Sequence, residues 1–516
     1  MTIDILPRPT HFEERSGPEI WVDEAIWGHR LHDEQSPWLT FLEFLNVLLA
    51  EKGAGRPLQE DALNSLSYRP QTQLRLRNLV FNNPHIMTVL AEDRADDLAW
   101  ASWLEKMAAT AGGLESTDFS YLRERFETFR DFAAVIRFLQ GSAIEGDSNK
   151  RWSSKFVFPF GPNGLYEDVN VKPNGGVTTD RRFFARTGEI LYLMLCRSRR
   201  VDELRDQLVS QFLENPAPYD GMVRALQGEV QHAKVDRGGA FLPVAAHPAF
   251  DRLAEDWLAI LALPIPAYDA IPHLVAATGL NLILYQLDRA CEVLGRGRAT
   301  MVCEIVSPKK SVVRDLSADS YQTNNALPQQ AMERFIRATA ETPEWQAAIA
   351  SDDAGLEVTE LLKREFDWPD PDDEDDRNIP PDQLINKLVD KAAVRHKQHV
   401  GKVHMTWARA IGLSSRRSSR RVRYAPTDRL LKTLVVTCVP KRMEFKDFLA
   451  QLADRYGLII GDQQAKAFVD SGDADQEDFS DNARRLEERL ASLGLLKRLS
   501  DSCAYVENPF QRGDVA

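Results

Sequence analysis

The chain has 516 residues, of which 43% are hydrophobic and 27% are charged, and its formal net charge is −13. This composition is typical of globular proteins and excludes wholesale disorder, a collagen-like fibre and a membrane channel. No apolar run approaches the roughly 18–20 residues that span a bilayer, and the candidate run at residues 258–263 ends at Pro264. Because the N-terminus has neither a basic start nor a long apolar stretch, we expect no secretory signal and a cytoplasmic protein.

The cysteines are few and scattered. None of the five belongs to a Cys-x-x-Cys motif; they are Cys196, Cys291, Cys303, Cys438 and Cys503. Zinc fingers and disulfide frameworks show paired spacing, so we expect neither, and we expect reduced thiols buried as small hydrophobic side chains.

The charge is distributed unevenly along the chain. Residues 383–516 hold 24 Lys and Arg against 17 Asp and Glu, whereas the preceding residues are strongly acidic. Just before this basic region lies a run of acidic residues and prolines, residues 368–381, which indicates a solvated linker. We therefore predict five regions: a helical N-terminal domain (1–145), a mixed middle domain (146–365), an acidic linker (366–382), a basic helix or arm (383–424) and a C-terminal domain (425–516).

The first region is predicted to be mostly helical. Apolar residues recur at three- and four-residue spacing from Trp38 to Leu48, behind Ser36-Pro37, which is typical of a helix start. Residues 96–109 and 118–139 have the same periodicity. The aromatic residues of the second stretch form one stripe, which indicates core packing.

The middle region mixes short strands with helices. Residues 155–160 and 166–172 have a strand-like composition, and each is followed by turn-forming Gly, Pro and Asn, which predicts a hairpin or a small sheet. Helices are predicted from about residue 187 to 212, over much of 222–292 and over 329–366, with a buried strand at 299–306.

The C-terminal region has the order of elements found in winged helix-turn-helix domains. A helix starting at Pro426-Thr427-Asp428 precedes a short strand at 442–445, helices at 446–456 and 481–493, and a hairpin at 495–506. Over about 85 residues the sequence resembles that family, many of whose members bind protein rather than nucleic acid. The predicted fold is therefore mainly α with a small β component (α+β), a multi-domain helical body followed by a winged helix.

Basic residues in the last quarter of the chain are the strongest functional signal. Several guanidinium and ammonium groups on a flexible or helical arm are what a phosphate backbone requires. The predicted DNA contacts of the basic segment are Arg395, Lys397, Lys402, Arg416, Arg417, Arg420, Arg421 and Arg423. The alternatives are a solvated face, or an arm that docks on an acidic surface of this or another protein.

The presumed third helix of the winged domain adds a second basic set. Its predicted DNA contacts are Arg484, Arg485 and Arg489 on the helix and Lys497 and Arg498 at the start of the wing. Glu487 and Glu488 on the same helix repel phosphates. Groove contact and protein docking are therefore both open for this helix.

Three polar clusters in the sequence are candidate sites. His396, His399 and His404 have a spacing that suits metal ligands, but their surroundings are cationic, which opposes a dication. Residues 27–34 (WGHRLHDE) are interpreted as a polar turn ahead of a helix rather than as an acid–base site. Residues 180–189 (DRRFFARTGE) are interpreted as a polar loop ahead of an apolar helix, and its arginines could equally bind a phosphate or stabilise an interface. The sequence thus predicts no catalytic residue, no metal site and no cofactor.

Known catalytic motifs are absent from the sequence, including the P-loop, the dinucleotide-binding glycine pattern and the kinase set. Sites assembled from distant residues escape this test. A divergent metal-dependent nuclease around Glu304 is therefore one alternative function, and a transcription regulator is another.

Two phrases and the winged C-terminus resemble a known group of proteins. The phrases are WGHRLHDEQSPWLTFLEFLNVLL near the N-terminus and RRFFARTGEILYLMLCRS in the middle. The chain is similar to an uncharacterised component of methylation-associated bacterial phage-defence systems. The resemblance implies neighbouring ATPases and methyltransferases as partners and carries over no catalytic residue. The sequence as a whole predicts a non-catalytic, DNA-associated and partner-binding subunit of such a system, with no membrane contact.

Overall fold

The structure is a computed structural model that describes residues 5–7, 17–60, 65–73, 79–80, 83–110, 119–141, 161–165, 167–171, 177–179, 186–215, 219–228, 231–232, 236–306, 311–369, 379–417, 420–500 and 503–510. These residues form a mainly helical fold with several small sheets, which confirms the predicted fold class. The predicted strand at 155–160 and most of the acidic linker lie outside the described residues.

Helices account for most of the described chain. In the N-terminal part they are Pro18–Trp27, Pro37–Gly53, His85–Ala91, Asp96–Thr110, Tyr121–Arg125 and Phe129–Gly141. The middle part contains Thr187–Cys196, Val201–Leu208, Asp220–Leu226, Pro248–Leu261, Ala267–Leu294, Val312–Ala338, Pro343–Ile349 and Ala354–Phe366, together with the π-helical turn Val209–Glu214 and the 3-10 turns Pro162–Gly164 and Thr339–Glu341. The C-terminal part contains Pro381–Gln398, Val400–Ala410, Asp428–Cys438, Phe445–Tyr456, Lys466–Asp470 and Gln476–Ser492.

Local signals set several helix ends where the sequence predicts them. Ser36 caps the helix Pro37–Gly53, since its hydroxyl accepts a hydrogen bond from the backbone N–H of Leu39, and Pro37 occupies the first turn. Gly457 ends the helix Phe445–Tyr456 in the left-handed region, with φ of 71°. The predicted helix 118–139 is instead broken into two, Tyr121–Arg125 and Phe129–Gly141.

The helix Ala267–Leu294, here called the central helix, runs through the main core. Its 28 residues are apolar enough to cross a membrane by length and mean hydropathy, but 89% of its most apolar window is buried inside the protein. Gly279 allows a neighbouring segment to pack closely against this helix, because a Cβ there would collide with the Ile411 side chain. The central helix therefore packs inside the protein core.

The small sheets join distant parts of the chain. Ser65–Tyr68 pairs with Arg237–Phe241, and Val177–Thr179, Glu167–Val171, Gln71–Gln73 and Gln231–His232 form a four-stranded sheet in that order. Ser414–Ser415 pairs with Arg423–Tyr424, and Met301–Val302 pairs in parallel with Leu458–Ile459. The strand predicted at 299–306 is thus only two residues long.

The basic segment is built into the body. The helix Pro381–Gln398 buries Leu384, Ile385, Leu388, Val389 and Ala392 in the core that also contains the central helix. It lies against the helices Pro18–Trp27 and Val312–Ala338. Residues 381–410 are therefore two packed helices with a basic outer face rather than a solvated arm.

Residues 428–507, here called the C-terminal module, contain the predicted order of elements. The strands Arg442–Glu444, Cys503–Glu507 and Leu496–Ser500 form an antiparallel sheet in that spatial order. Val506, in the central strand, lies opposite Met443 of one neighbouring strand and Leu496 of the other. The helices Phe445–Tyr456 and Gln476–Ser492 pack against this sheet, and the helix Asp428–Cys438 packs against Phe445–Tyr456. The short helix Lys466–Asp470 and the strand Leu458–Ile459 are additions that the sequence did not predict.

A buried ionic network fastens the C-terminal module to the body. Asp256 lies on the helix Pro248–Leu261 and is 1% exposed. Its Oδ1 accepts hydrogen bonds from Arg455 Nη2 at 2.6 Å and from the Tyr456 hydroxyl at 2.8 Å, and its Oδ2 accepts one from Asn281 Nδ2 at 2.7 Å. Burial raises the pKa of Asp256, and Arg455 opposes that rise. This carboxylate is therefore a fixed point between the two parts of the protein.

We expect the substitution Asp256→Ala to lower the free energy of unfolding by about 3 kcal/mol or more, because it leaves the Arg455 guanidinium without its buried partner. The measurement is urea unfolding followed by circular dichroism. The control is Asp454→Ala, which removes an exposed carboxylate from the neighbouring helix and should change the free energy by less than about 0.5 kcal/mol. Equal effects of the two substitutions would contradict this account of the network.

Candidate nucleic-acid interface

Arg423 is placed differently from the other predicted DNA contacts. It is fully buried, and its Nε hydrogen-bonds to Glu304 Oε2. Arg314 Nε donates to the other oxygen of the same carboxylate, Oε1, at 2.8 Å. Because a phosphate cannot reach a side chain with no exposed surface, Arg423 is removed from the predicted DNA contacts.

The same contacts bear on the nuclease alternative around Glu304. Both oxygens of its carboxylate are occupied by guanidinium groups, and the side chain is fully buried. A nuclease metal ion needs free carboxylate oxygens that face substrate. The structure therefore gives Glu304 the role of an anchor for two arginines.

Tyr424, the next residue, is anchored as firmly. Asn324 Nδ2 donates to its hydroxyl at 3.0 Å, and the hydroxyl donates to His404 Nε2 at 2.7 Å. The Nδ1–H of His404 then faces Asn325 Oδ1 at 3.1 Å. The Tyr424 carbonyl also accepts hydrogen bonds from the Ser317 hydroxyl and the Glu304 backbone N–H. One end of the loop that carries the arginine cluster is thus fixed on the helix Val312–Ala338.

The arginine cluster consists of Arg416, Arg417, Arg420, Arg421 and Arg423. All but Arg423 belong to the loop that joins the strands Ser414–Ser415 and Arg423–Tyr424, here called the arginine loop. Arg416, Arg417 and Arg420 are exposed, and within the described ranges none of the three makes an ion pair. Arg421 is half-buried and binds Asp319 on the helix Val312–Ala338. Three of the five clustered guanidiniums therefore remain available to an anion.

The helix Gln476–Ser492 carries basic side chains that are largely neutralised by carboxylates. Arg484 and Arg485 lie 2.6 and 3.8 Å from the two carboxylate oxygens of Asp481. Arg489 binds Asp428 at 2.6 Å, and Arg498 on the following strand binds Glu487 at 3.0 Å. Lys497 is exposed and, as far as the structure describes the chain, has no carboxylate partner. This surface is therefore less cationic than the sequence suggests.

Arg395, Lys397 and Lys402 lie near the break between the helices Pro381–Gln398 and Val400–Ala410. Lys397 and Lys402 are exposed and Arg395 is half-buried, and no ion pair to any of them occurs in the described part of the chain. They form a basic face on the body, separate in sequence from the arginine loop.

The helix Gln476–Ser492 is connected to the arginine loop through the segment that contains Glu304. Asn482, buried in that helix, donates through Nδ2 to the carbonyls of Cys303 and Ile460 and accepts from the backbone N–H of Ile305. Ile305 follows Glu304, the partner of Arg423. Sequence reasoning missed Asn482, although a polar residue on the apolar stripe of Phe479, Ala483 and Leu486 is a signal of buried hydrogen bonds.

The three histidines of the HKQHVGKVH segment separate. His396 Nδ1 lies 2.8 Å from Asp23 Oδ1, and His404 belongs to the Tyr424 network. His399 lies beside Asp33, with 3.2 Å between Nδ1 and Oδ1.

Part of the 180–189 cluster is a buried polar network. Residues 180–185 lie outside the description, but Glu189 accepts a hydrogen bond from the Tyr68 hydroxyl at 2.9 Å and one from Arg186 Nε at 2.9 Å. Glu43 accepts hydrogen bonds from Gln35 Nε2 and from the backbone N–H of Gly188. These contacts hold helix starts together, in agreement with the interpretation of the cluster as a polar turn ahead of a helix.

The His404 network predicts a loss of stability in acid. Burial lowers the pKa of His404 to about 3, whereas in the unfolded chain it has its ordinary value near 6.5. Between these values the unfolded state binds a proton that the folded state excludes, so stability falls as the pH falls from 6.5. The contribution of this side chain is up to about 1.4 kcal/mol per pH unit.

We therefore expect His404→Gln, which retains one donor and one acceptor, to unfold with a weaker dependence on pH between 7 and 4. The measurement is the urea midpoint at several pH values. Part of the pH dependence of stability should remain in the variant, because other buried histidines, such as His29, also have a lowered pKa. An unchanged slope would show that His404 is already charged in the folded state.

Comparison with known proteins bears on the region that contains the loop and the C-terminal module. No curated protein and no solved structure matches the chain, so neither comparison identifies a winged helix-turn-helix relative. Residues 405–508, roughly a fifth of the chain, match the family model described as Methylation-associated defense system protein MAD7. This match begins ahead of the arginine loop and ends at Asn508. The Asn508 side chain donates a hydrogen bond to the Val439 carbonyl, which follows the helix Asp428–Cys438. The match supports the assignment of the chain as a component of a methylation-associated defence system.

Proposed function

We propose that the chain is a non-catalytic, DNA-associated and partner-binding subunit of a methylation-associated defence complex in the cytoplasm. The observation that carries the proposal is that the region matching the family includes Arg416, Arg417 and Arg420, three exposed guanidiniums without an ion pair in the described residues. Arginines in this state bind phosphate oxygens with charge-assisted hydrogen bonds.

The anchoring of the loop supports a binding role. Arg423 and Tyr424 are fully buried at one end of the loop, and Arg417 accepts a hydrogen bond from Arg423 Nη2 through its backbone carbonyl at 2.8 Å. Because the base of the loop is held, fewer conformations are lost when its exposed arginines bind a ligand.

The C-terminal module is proposed to be a winged helix-turn-helix that serves mainly to dock protein. Its helix Gln476–Ser492 pairs its own arginines with carboxylates, and the resulting surface is mixed rather than cationic. Lys497 on the wing and the basic face of Arg395, Lys397 and Lys402 are proposed as further phosphate contacts. The partners that the resemblance implies are the ATPase or the methyltransferase of the same system.

We expect the triple variant of Arg416, Arg417 and Arg420, each to Gln, to bind duplex DNA more weakly and with less dependence on salt. Each phosphate contact contributes about 0.9 to the slope of log affinity against log salt concentration, so the slope should flatten by about 2–3. The measurement is fluorescence anisotropy of labelled DNA with the full chain at several salt concentrations.

The matched control removes three exposed or largely exposed positive charges elsewhere, at Arg123, Arg130 and Arg137. It should leave the slope almost unchanged. If the wild-type chain binds no DNA, or if the two triple variants lose affinity equally, the arginine loop is not a DNA contact. A pull-down with the system's ATPase and methyltransferase tests the partner role separately.

A further inference from the structure

Two sequence clusters that are more than 360 residues apart meet in the structure. His32 and Asp33 lie in the connection between the helices Pro18–Trp27 and Pro37–Gly53, and His399 lies at the break between the two basic helices. One ligand atom from each of the three residues lies within 4.8 Å of the other two. No other group of this kind occurs among the residues that the structure describes.

We infer that His32, Asp33 and His399 form a binding site for a divalent transition-metal cation such as Zn²⁺. Two imidazole nitrogens and one carboxylate oxygen are a ligand set that such cations prefer, and three protein ligands leave a further position for water or another ligand. The inference rests on the donor atoms of these three residues and not on the proposed function, although Arg395 and Lys402 of the basic face lie close to them.

The distances between the donor atoms suit a metal ion after a small closure. His399 Nδ1 and Asp33 Oδ1 are 3.2 Å apart, and His32 Nδ1 and Asp33 Oδ1 are 4.0 Å apart. Donor atoms around a tetrahedral Zn²⁺ are separated by about 3.3 Å, given metal–ligand bonds of about 2.0–2.1 Å. The two imidazole rings are in contact, with centroids 3.8 Å apart, and they must rotate apart for both to direct a nitrogen at one ion.

His32 Nδ1 points to a ligand that is not part of the chain. This nitrogen is buried and has no hydrogen-bond partner within the described residues. A buried polar atom without a partner carries a free-energy cost that a bound cation would remove.

The backbone around the three residues is fixed. The Thr187 hydroxyl accepts a hydrogen bond from the His32 backbone N–H at 3.2 Å and donates to the Arg30 carbonyl at 3.1 Å. One turn before His399, the buried His396 is held by Asp23. The two segments are thus positioned independently of a metal ion.

The charged residues around the three ligands determine how tightly a metal ion is expected to bind. Arg30, Arg395 and Lys402 exert positive fields on the cluster, and Glu34 exerts a negative one. These cations weaken the binding of a dication. They also favour an anionic ligand, such as a phosphate or carboxylate oxygen, at the open coordination position.

The test uses untagged, full-length protein that has been treated with a chelator and titrated with Co²⁺, whose absorption in the visible range reports tetrahedral coordination. We expect one equivalent to bind and Zn²⁺ to displace it. Each of His32→Gln, Asp33→Asn and His399→Gln should weaken binding at least tenfold, because each removes a ligand. The matched control, His85→Gln, replaces a histidine in another helix and should bind as the wild-type does.

Thermal unfolding provides a second measurement. Zn²⁺ should raise the Tm of the wild-type and of the control but not of the three ligand variants, because only a folded site gains from binding. Circular dichroism shows whether each variant is folded. If a histidine variant does not fold, the metal affinity of the nearly isosteric Asp33→Asn variant tests the site instead. Binding of less than one equivalent of metal to the wild-type would overturn the inference. Equal metal affinity in the wild-type and the ligand variants would also overturn it, because the metal would then be bound by other groups such as the cysteines.

Discussion

The pairing of Glu304 with Arg314 and Arg423 is the interaction on which the arrangement of the C-terminal half depends. One carboxylate meets two guanidiniums in a place that water scarcely reaches, so the group carries an excess positive charge in a medium that solvates it poorly. Such a cluster is stable only when its geometry is kept. It therefore fixes three segments at once: the end of the strand Met301–Val302, the first turn of the helix Val312–Ala338 and the strand Arg423–Tyr424.

This constraint divides the arginine cluster by function. Arg423 and Arg421 are used to hold the loop on the body, whereas their neighbours Arg416, Arg417 and Arg420 face solvent. In the sequence the five residues look equivalent, since all stand among serines in SSRRSSRRVRY. Two of the five arginines, Arg421 and Arg423, thus bind the protein's own carboxylates, as the alternative interpretation of the basic segment expects.

The features that the sequence predicts well are local ones. The helix behind Ser36-Pro37, the stop at Gly457 and the order of elements in the C-terminal module follow from capping residues and apolar periodicity over a few turns. The sequence predicts a basic helix or arm at 383–424, but charge counting does not show that the helix Pro381–Gln398 is packed into the core through an apolar stripe, in which Leu384, Leu388 and Ala392 recur every four residues. The partner of Arg423 lies 119 residues away, and the group of His32, Asp33 and His399 joins segments even further apart. Neither can be found from spacing, since only the tertiary fold determines which distant side chains meet.

The parallel pairing of Leu458–Ile459 with Met301–Val302 has a consequence for how this region can be inherited. The Gly457 carbonyl accepts a hydrogen bond from the Met301 backbone N–H, and a Cβ on Gly457 would lie 2.9 Å from the Ala299 carbonyl oxygen. A recombination event that transplanted residues 405–508 alone onto another protein would leave this edge unpaired and Arg423 without its carboxylate. Residues 405–508 therefore cannot be transferred to another protein as an independent unit. We expect this segment to have evolved together with the helical body that it packs on.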